Sequence, residues 1–70
     1  EDMANLQLLN RKIAESGMTK AAIARKSGME RPTLCNRLKG RGHFCDTEIM
    51  GLTKALRLTR AERDKIFFVQ

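Results

Sequence analysis

Seven cations, Lys20, Arg25, Lys26, Arg31, Arg37, Lys39 and Arg41, lie between positions 20 and 41, and only Glu30 opposes them there. That segment alone carries the whole net charge of +6, because elsewhere seven basic residues face seven acidic ones. A solvated surface usually mixes its signs, so an unmixed cationic segment points to a polyanionic partner. The chemistry open to these groups is recognition. A guanidinium fork matches a pair of acceptors on a planar edge, and a lysine ammonium suits a phosphate as a point charge. Cys35, His43 and Cys45 invite a metal reading, but a tetrahedral zinc site needs four ligands, usually with a close cysteine pair. Asp46 or Glu48 would have to be the fourth, and the spacing is wrong, so no metal or other cofactor is expected. With one histidine and no paired carboxylates, no catalytic constellation can be assembled, and an enzyme is not expected.

The elements that must position these groups read as helices. The chain of 70 residues is the size of one domain, 1–70, with an apolar fraction of 41% and no Trp or Tyr, so its core has to be aliphatic. Helix formers dominate, which points to an all-α fold. The first helix is expected from Asn5 to Ser16, with Leu6, Leu9 and Ile13 on one face and Leu8 off it. Gly17 caps it, and Thr19 opens a second helix through Ser27 that turns Ile23 and Ala24 inward. Gly28 stops that helix. A third is expected from near Glu30 to Leu38 or Lys39, with Pro32 tolerated in its first turn and Leu34 and Leu38 buried. Residues 40–43 read as loop and Phe44 as an apolar plug. Asp46 or Thr47 is expected to cap a fourth helix through Leu56, with Ile49, Leu52 and Leu56 on one face. Thr59-Arg60-Ala61-Glu62 is a capping-box pattern that opens a fifth helix to about Phe68, with Ile66 and Phe67 closing the core.

The segment Thr19 to Gly40 then reads as two short helices joined by a tight turn. Ala24 is small where the helices cross, Gly28 permits the left-handed turn, Met29 plugs it and Leu34 anchors the second helix. With Thr19-Lys20, Ile23-Ala24, Gly28-Met29, Arg31, Leu34 and Gly40 at these spacings, the chain resembles the helix-turn-helix family of lambda-type repressors and Cro proteins. Lys54-Ala55-Leu56-Arg57-Leu58-Thr59 extends the likeness, which covers nearly the whole chain. The resemblance implies a compact five-helix bundle with a helix-turn-helix at about 20–38, no enzymatic activity, and double-stranded DNA as the partner of a phage-type transcriptional regulator.

Carried over residue by residue, the resemblance places Arg31, Pro32, Thr33 and Asn36 at base edges. Arg31 suits guanine, Thr33 a thymine methyl, and Asn36 adenine or a phosphate. It places Thr19, Lys20, Arg37, Lys39 and Arg41 along the DNA backbone. Three positions depart from the family pattern. Pro32 stands where relatives often have Gln or Ser, Arg37 and Ser27 where they are often apolar, and Leu38 is expected to take over the packing from Arg37. Relatives often bind palindromes, which allows a homodimer, although no decisive interface is readable.

No run of about 18 apolar residues spans a membrane, and Glu1 and Asp2 replace the basic start of a signal peptide. Met3 reads as the natural initiator, with Glu1-Asp2 an addition. A cytoplasmic, nucleoid-associated place follows, with the two cysteines as free thiols and no small-molecule ligand. The competing class is a protein-interaction or antitoxin-like module. Leu6, Leu8 and Leu9 crowd the first helix, and Ile66, Phe67, Phe68 and Val69 make the end apolar, so part of that surface could face a partner.

Overall fold

The computed structural model describes residues 5–68, all of whose regular structure is helical. Val69 and the expected initiator Met3 lie outside the described residues. The helices are α1 (Leu6–Ser16), α2 (Lys20–Ser27), α3 (Arg31–Leu38), α4 (Asp46–Leu56) and α5 (Arg60–Phe67). Among the described residues no helix is long and apolar enough to cross a membrane.

The helix ends follow local chemistry. Asn5 caps α1 by accepting from the Leu8 amide, Thr19 caps α2 by accepting from Ala22, and Thr59 caps α5 by accepting from Glu62. The Glu62 carboxylate reaches back to the Thr59 amide, which completes the capping box. α4 departs from expectation at its start. Its N-cap is Cys45, one residue before Asp46 and two before Thr47, and the Cys45 amide donates to the Glu48 carboxylate at 3.0 Å. A carboxylate reaching back three residues can satisfy the first amide even where the cap residue lacks a hydroxyl. α2, α3 and α4 all end the same way, with a residue in the left-handed region and crossed backbone bonds. Met29 donates to Ala24, Arg41 to Asn36, and Leu58 to Thr53. The left-handed residues are Gly28, Gly40 and, without the freedom of glycine, Arg57 at φ 54°.

Each helix supplies one fully buried aliphatic side chain: Leu9, Ile23, Leu34, Leu52 and Ile66. Each such burial is worth about 1.5–3 kcal/mol. Ile13, Ala24 and Leu38 complete the cluster, with Leu6, Leu8, Met18, Met29, Phe44, Leu56, Leu58 and Phe67 packed against it. Leu8, expected off the buried stripe, is half-buried, so the leucine crowding on α1 is taken up by the core. Phe44 does plug the core, edge-on to Phe67 with ring centroids 5.4 Å apart. α1 and α5 are joined where the Asn5 amide donates to the Ile66 carbonyl at 2.6 Å and where Lys12 pairs with Glu62 at 2.6 Å.

α2 and α4 approach closely at Gly51. A β-carbon on Gly51 would overlap the Ser27 carbonyl oxygen and lie 3.0 Å from the Ser27 carbonyl carbon and Cα. Ser27 is itself buried, and its hydroxyl folds back to donate to the Ile23 carbonyl at 2.7 Å. With its hydroxyl turned back on its own helix, Ser27 leaves no bulk between α2 and Gly51.

Gly51→Ala should therefore destabilise the fold, although alanine favours helix by about 1 kcal/mol over glycine. The obstacle is backbone, so overpacking of about 1–3 kcal/mol outweighs the propensity gain, and the urea midpoint should fall. A raised midpoint would show that the two helices can slide apart freely.

A second expectation concerns pH. The Lys12 hydrogen bond, followed by that of the Thr59 amide, lowers the Glu62 pKa from its ordinary 4.5, while the same pair raises Lys12 above 10.5. The Glu62 contribution is present above 4.5 and is lost as pH falls through its lowered value; that of Lys12 is lost as pH rises through its raised value. Glu62→Gln keeps the capping geometry without the charge. The gap in thermal midpoint between wild type and this variant should be open at neutral pH and close in acid; a gap independent of pH would remove the ion pair from the account.

Candidate nucleic-acid interface

The cationic segment occupies α2, α3 and the connection after it, so the question is how the fold displays it. α3 lies against the core through Leu34 and Leu38. At about 100° per residue, Pro32, Asn36 and Lys39 form a stripe opposite those two leucines. All three are exposed, as is Arg31. Arg31 is the first residue of α3 and stands about 100° round the axis from Pro32, at the helix mouth and off the stripe. Thr33 is half-buried on the flank, more withdrawn than the reading beside Asn36 implied. Pro32 in the first turn removes an amide that would have no helical partner.

Lys20 opens α2 and is exposed, with Thr19 capping just before it. The Thr19 hydroxyl oxygen accepts from Ala22 at 3.1 Å. Lys39 and Arg41 are exposed at and beyond the end of α3. Among the described residues, Lys20, Arg31, Asn36, Lys39 and Arg41 make no side-chain hydrogen bond or ion pair to one another or to the rest of the fold. Arg37 differs. It is half-buried, and its guanidinium pairs with Glu48 at the start of α4.

The electrostatics of the helix ends separate α2 and α3 from the others. The N-terminus of a helix is the positive end of its dipole, which favours an acid in the first turn and disfavours a cation by about 0.3–1 kcal/mol. α4 has Asp46 and Glu48 there, and α5 offsets Arg60 with Glu62. α2 and α3 start on Lys20 and Arg31 with no acid in their first turns, and the α3 N-cap, Glu30, makes no side-chain capping bond. α2 and α3 thus each begin on a cation that the dipole of its own helix disfavours, and an anion at either start would relieve it.

The turn that holds α3 on α2 is short and closed. Gly28 takes φ 74°, the Met29 amide donates to Ala24 at 2.8 Å, and Met29 packs against the core. Cys35 is half-buried, Cys45 is exposed, and both are free thiols. Among the described residues no three His, Cys, Asp or Glu side chains gather as a metal site would require.

Sequence reading missed three residues that build the display: Glu48, Gly42 and Gly51. Glu48 stands three residues after Cys45, the capping-box interval, which cysteine in place of serine or threonine concealed. Gly51 inside a helix was itself a signal, since glycine weakens a helix unless close packing requires it. No protein-family model, curated protein or solved structure matches the chain.

Nothing lies within 4 Å of where a Gly28 β-carbon would be, so substitution there tests the backbone alone. Gly28→Ala should cost about 1–2 kcal/mol from the left-handed conformation. Gly28→Asn should cost less, because asparagine tolerates that region. Equal losses in chemical denaturation would place the cost elsewhere than in φ.

Proposed function

We propose that this chain binds double-stranded DNA sequence-specifically, as a transcriptional regulator of the lambda repressor/Cro type, by laying α3 in the major groove. The observation that carries the reading is the pair of adjoining helices that begin on unpaired, exposed cations with no acid in their first turns. Such starts reduce stability and suit a phosphate backbone. The exposed stripe Pro32–Asn36–Lys39 faces away from the core, and Arg31 stands at the leading end of α3, where a recognition helix meets base edges. Thr33 serves as an apolar flank. Lys20, Lys39 and Arg41, with the Thr19 hydroxyl, hold phosphates. Such a regulator is phage-related, works in the cytoplasm on the nucleoid, and as a homodimer would span two half-sites.

A second reading, an interaction or antitoxin-like module, is favoured by the exposure of Met50 (65%) and Phe68 (48%). Arg63 partly covers Phe68, its guanidinium carbon 5.6 Å from the ring centroid. Electrophoretic shift with random duplex DNA separates the classes, because a purely protein-binding module leaves the DNA unshifted.

The specific test separates reading from holding. Each phosphate neutralised gives a slope of about −0.9 in log affinity against log salt, so Lys20, Lys39 and Arg41 predict roughly −3 per protomer. Arg31→Ala should cost about 1–3 kcal/mol on a duplex selected from random sequence, relax one base position, and cost much less on random DNA. Lys39→Ala should weaken both duplexes alike and make the slope shallower by about one unit. Equal loss on both duplexes for Arg31→Ala would make Arg31 a backbone contact and leave specificity to Thr33, Asn36 or DNA shape.

A further inference from the structure

We propose that Arg37 is a positioning residue, which sets Lys39 and Arg41 for their phosphates through Glu48 and does not itself hold the DNA backbone. The inference rests on the DNA-binding reading and changes what it asks of one cation. Arg37 lies in the last turn of α3, and Glu48 in the first turn of α4. Its Nη1 donates to Glu48 Oε1, and the same oxygen accepts the Cys45 amide. One carboxylate oxygen therefore ties the end of α3 to the start of α4 across residues 39–45. Both side chains are mostly covered, at 24% and 18% exposure, so water competes for the pair less than for a surface ion pair.

The connection is wrapped round the arginine. A β-carbon on Gly42 would lie 3.0 Å from Arg37 Nε and 3.5 Å from its Cδ, and Gly42 takes φ 83°. At this φ and this distance any β-carbon would be strained and would press on the Arg37 stem. Gly40 and Arg41 close the end of α3 by donating to the carbonyls of Arg37 and Asn36, at 3.1 and 3.0 Å. Lys39 and Arg41 are thus carried on a turn built against the Arg37 stem. The Arg37 charge is already neutralised by Glu48, so moving it to a phosphate would strand a half-buried carboxylate.

Three variants test this: Arg37→Met, which keeps the stem; Glu48→Gln, which can still accept from the Cys45 amide; and the two combined. In salt titrations on the selected duplex, each single variant should lose about 3–10-fold in affinity, and the pair should be no worse than the weaker single. The salt slope should stay within about half a unit of wild type, since no phosphate contact is removed. A phosphate-holding Arg37 gives the opposite pattern. Arg37→Met would flatten the slope by about one unit, and Glu48→Gln would free the guanidinium and tighten binding; either result overturns the proposal.

Amide exchange in the free protein supplies a readout without DNA. The Gly40 and Arg41 amides should exchange about tenfold faster in both single variants, while those of Leu9 and Ile66 hold. Unchanged exchange at Gly40 and Arg41 overturns the proposal. If the wild-type chain binds no duplex, the DNA reading fails, and the exchange result alone decides whether Arg37 sets the turn.

Discussion

The peptide of Ser27 lies directly against Gly51, and the direction of α3 depends on that contact. α3 is eight residues long, buries only Leu34 and Leu38, and has no side-chain cap. An isolated helix of that length does not persist in water. Its orientation is borrowed from α2 on one side, through the Gly28–Met29 turn, and from α4 on the other, through Arg37 and Glu48. Both lenders are set by how closely α2 and α4 approach. A backbone-to-backbone contact has little give, because interiors are packed nearly as densely as organic crystals.

The five helices could be read from the chain because their signals are local. Thr19, Gly17, Gly28 and the Thr59–Glu62 box each act within one turn, and the aliphatic spacing of Leu9, Ile23, Leu34, Leu52 and Ile66 marks the inner face of each helix. What escaped was relational. Nothing near Arg37 in the sequence shows that its partner is Glu48, eleven residues on, and by sequence alone its charge belongs with the exposed cations. A thiol seldom caps a helix, so only the three-residue interval from Cys45 to Glu48 marks this cap in the sequence. Helical phase alone puts Leu8 off the core, but in a small domain neighbouring elements lie close enough to cover a flanking side chain.

Stability and proposed recognition are drawn from different residues. The aliphatic cluster, the caps and the ion pairs Lys12–Glu62 and Arg37–Glu48 hold the fold. Of the exposed cations, Arg25 and Lys26 sit in the last turn of α2, where the dipole favours them, while Lys20 and Arg31 work mildly against the dipoles of their own helices. For a domain this small the margin is narrow, and a cost of even a few tenths of a kcal/mol at each helix start is a perceptible share of it.

The outer stripe of α3 also bears on how such a chain can diverge. The side chains of Pro32, Asn36 and Lys39 are exposed, while Leu34 and Leu38, on the other side of the same helix, are buried and fix its place. Mutations on the stripe can accumulate with almost no penalty in folding, so descendants of one gene could acquire different preferences while keeping one scaffold. Arg37 and Gly42 are denied that freedom. Each constrains the other, and drift at either would have to be matched at both, so they should change together or stay as they are.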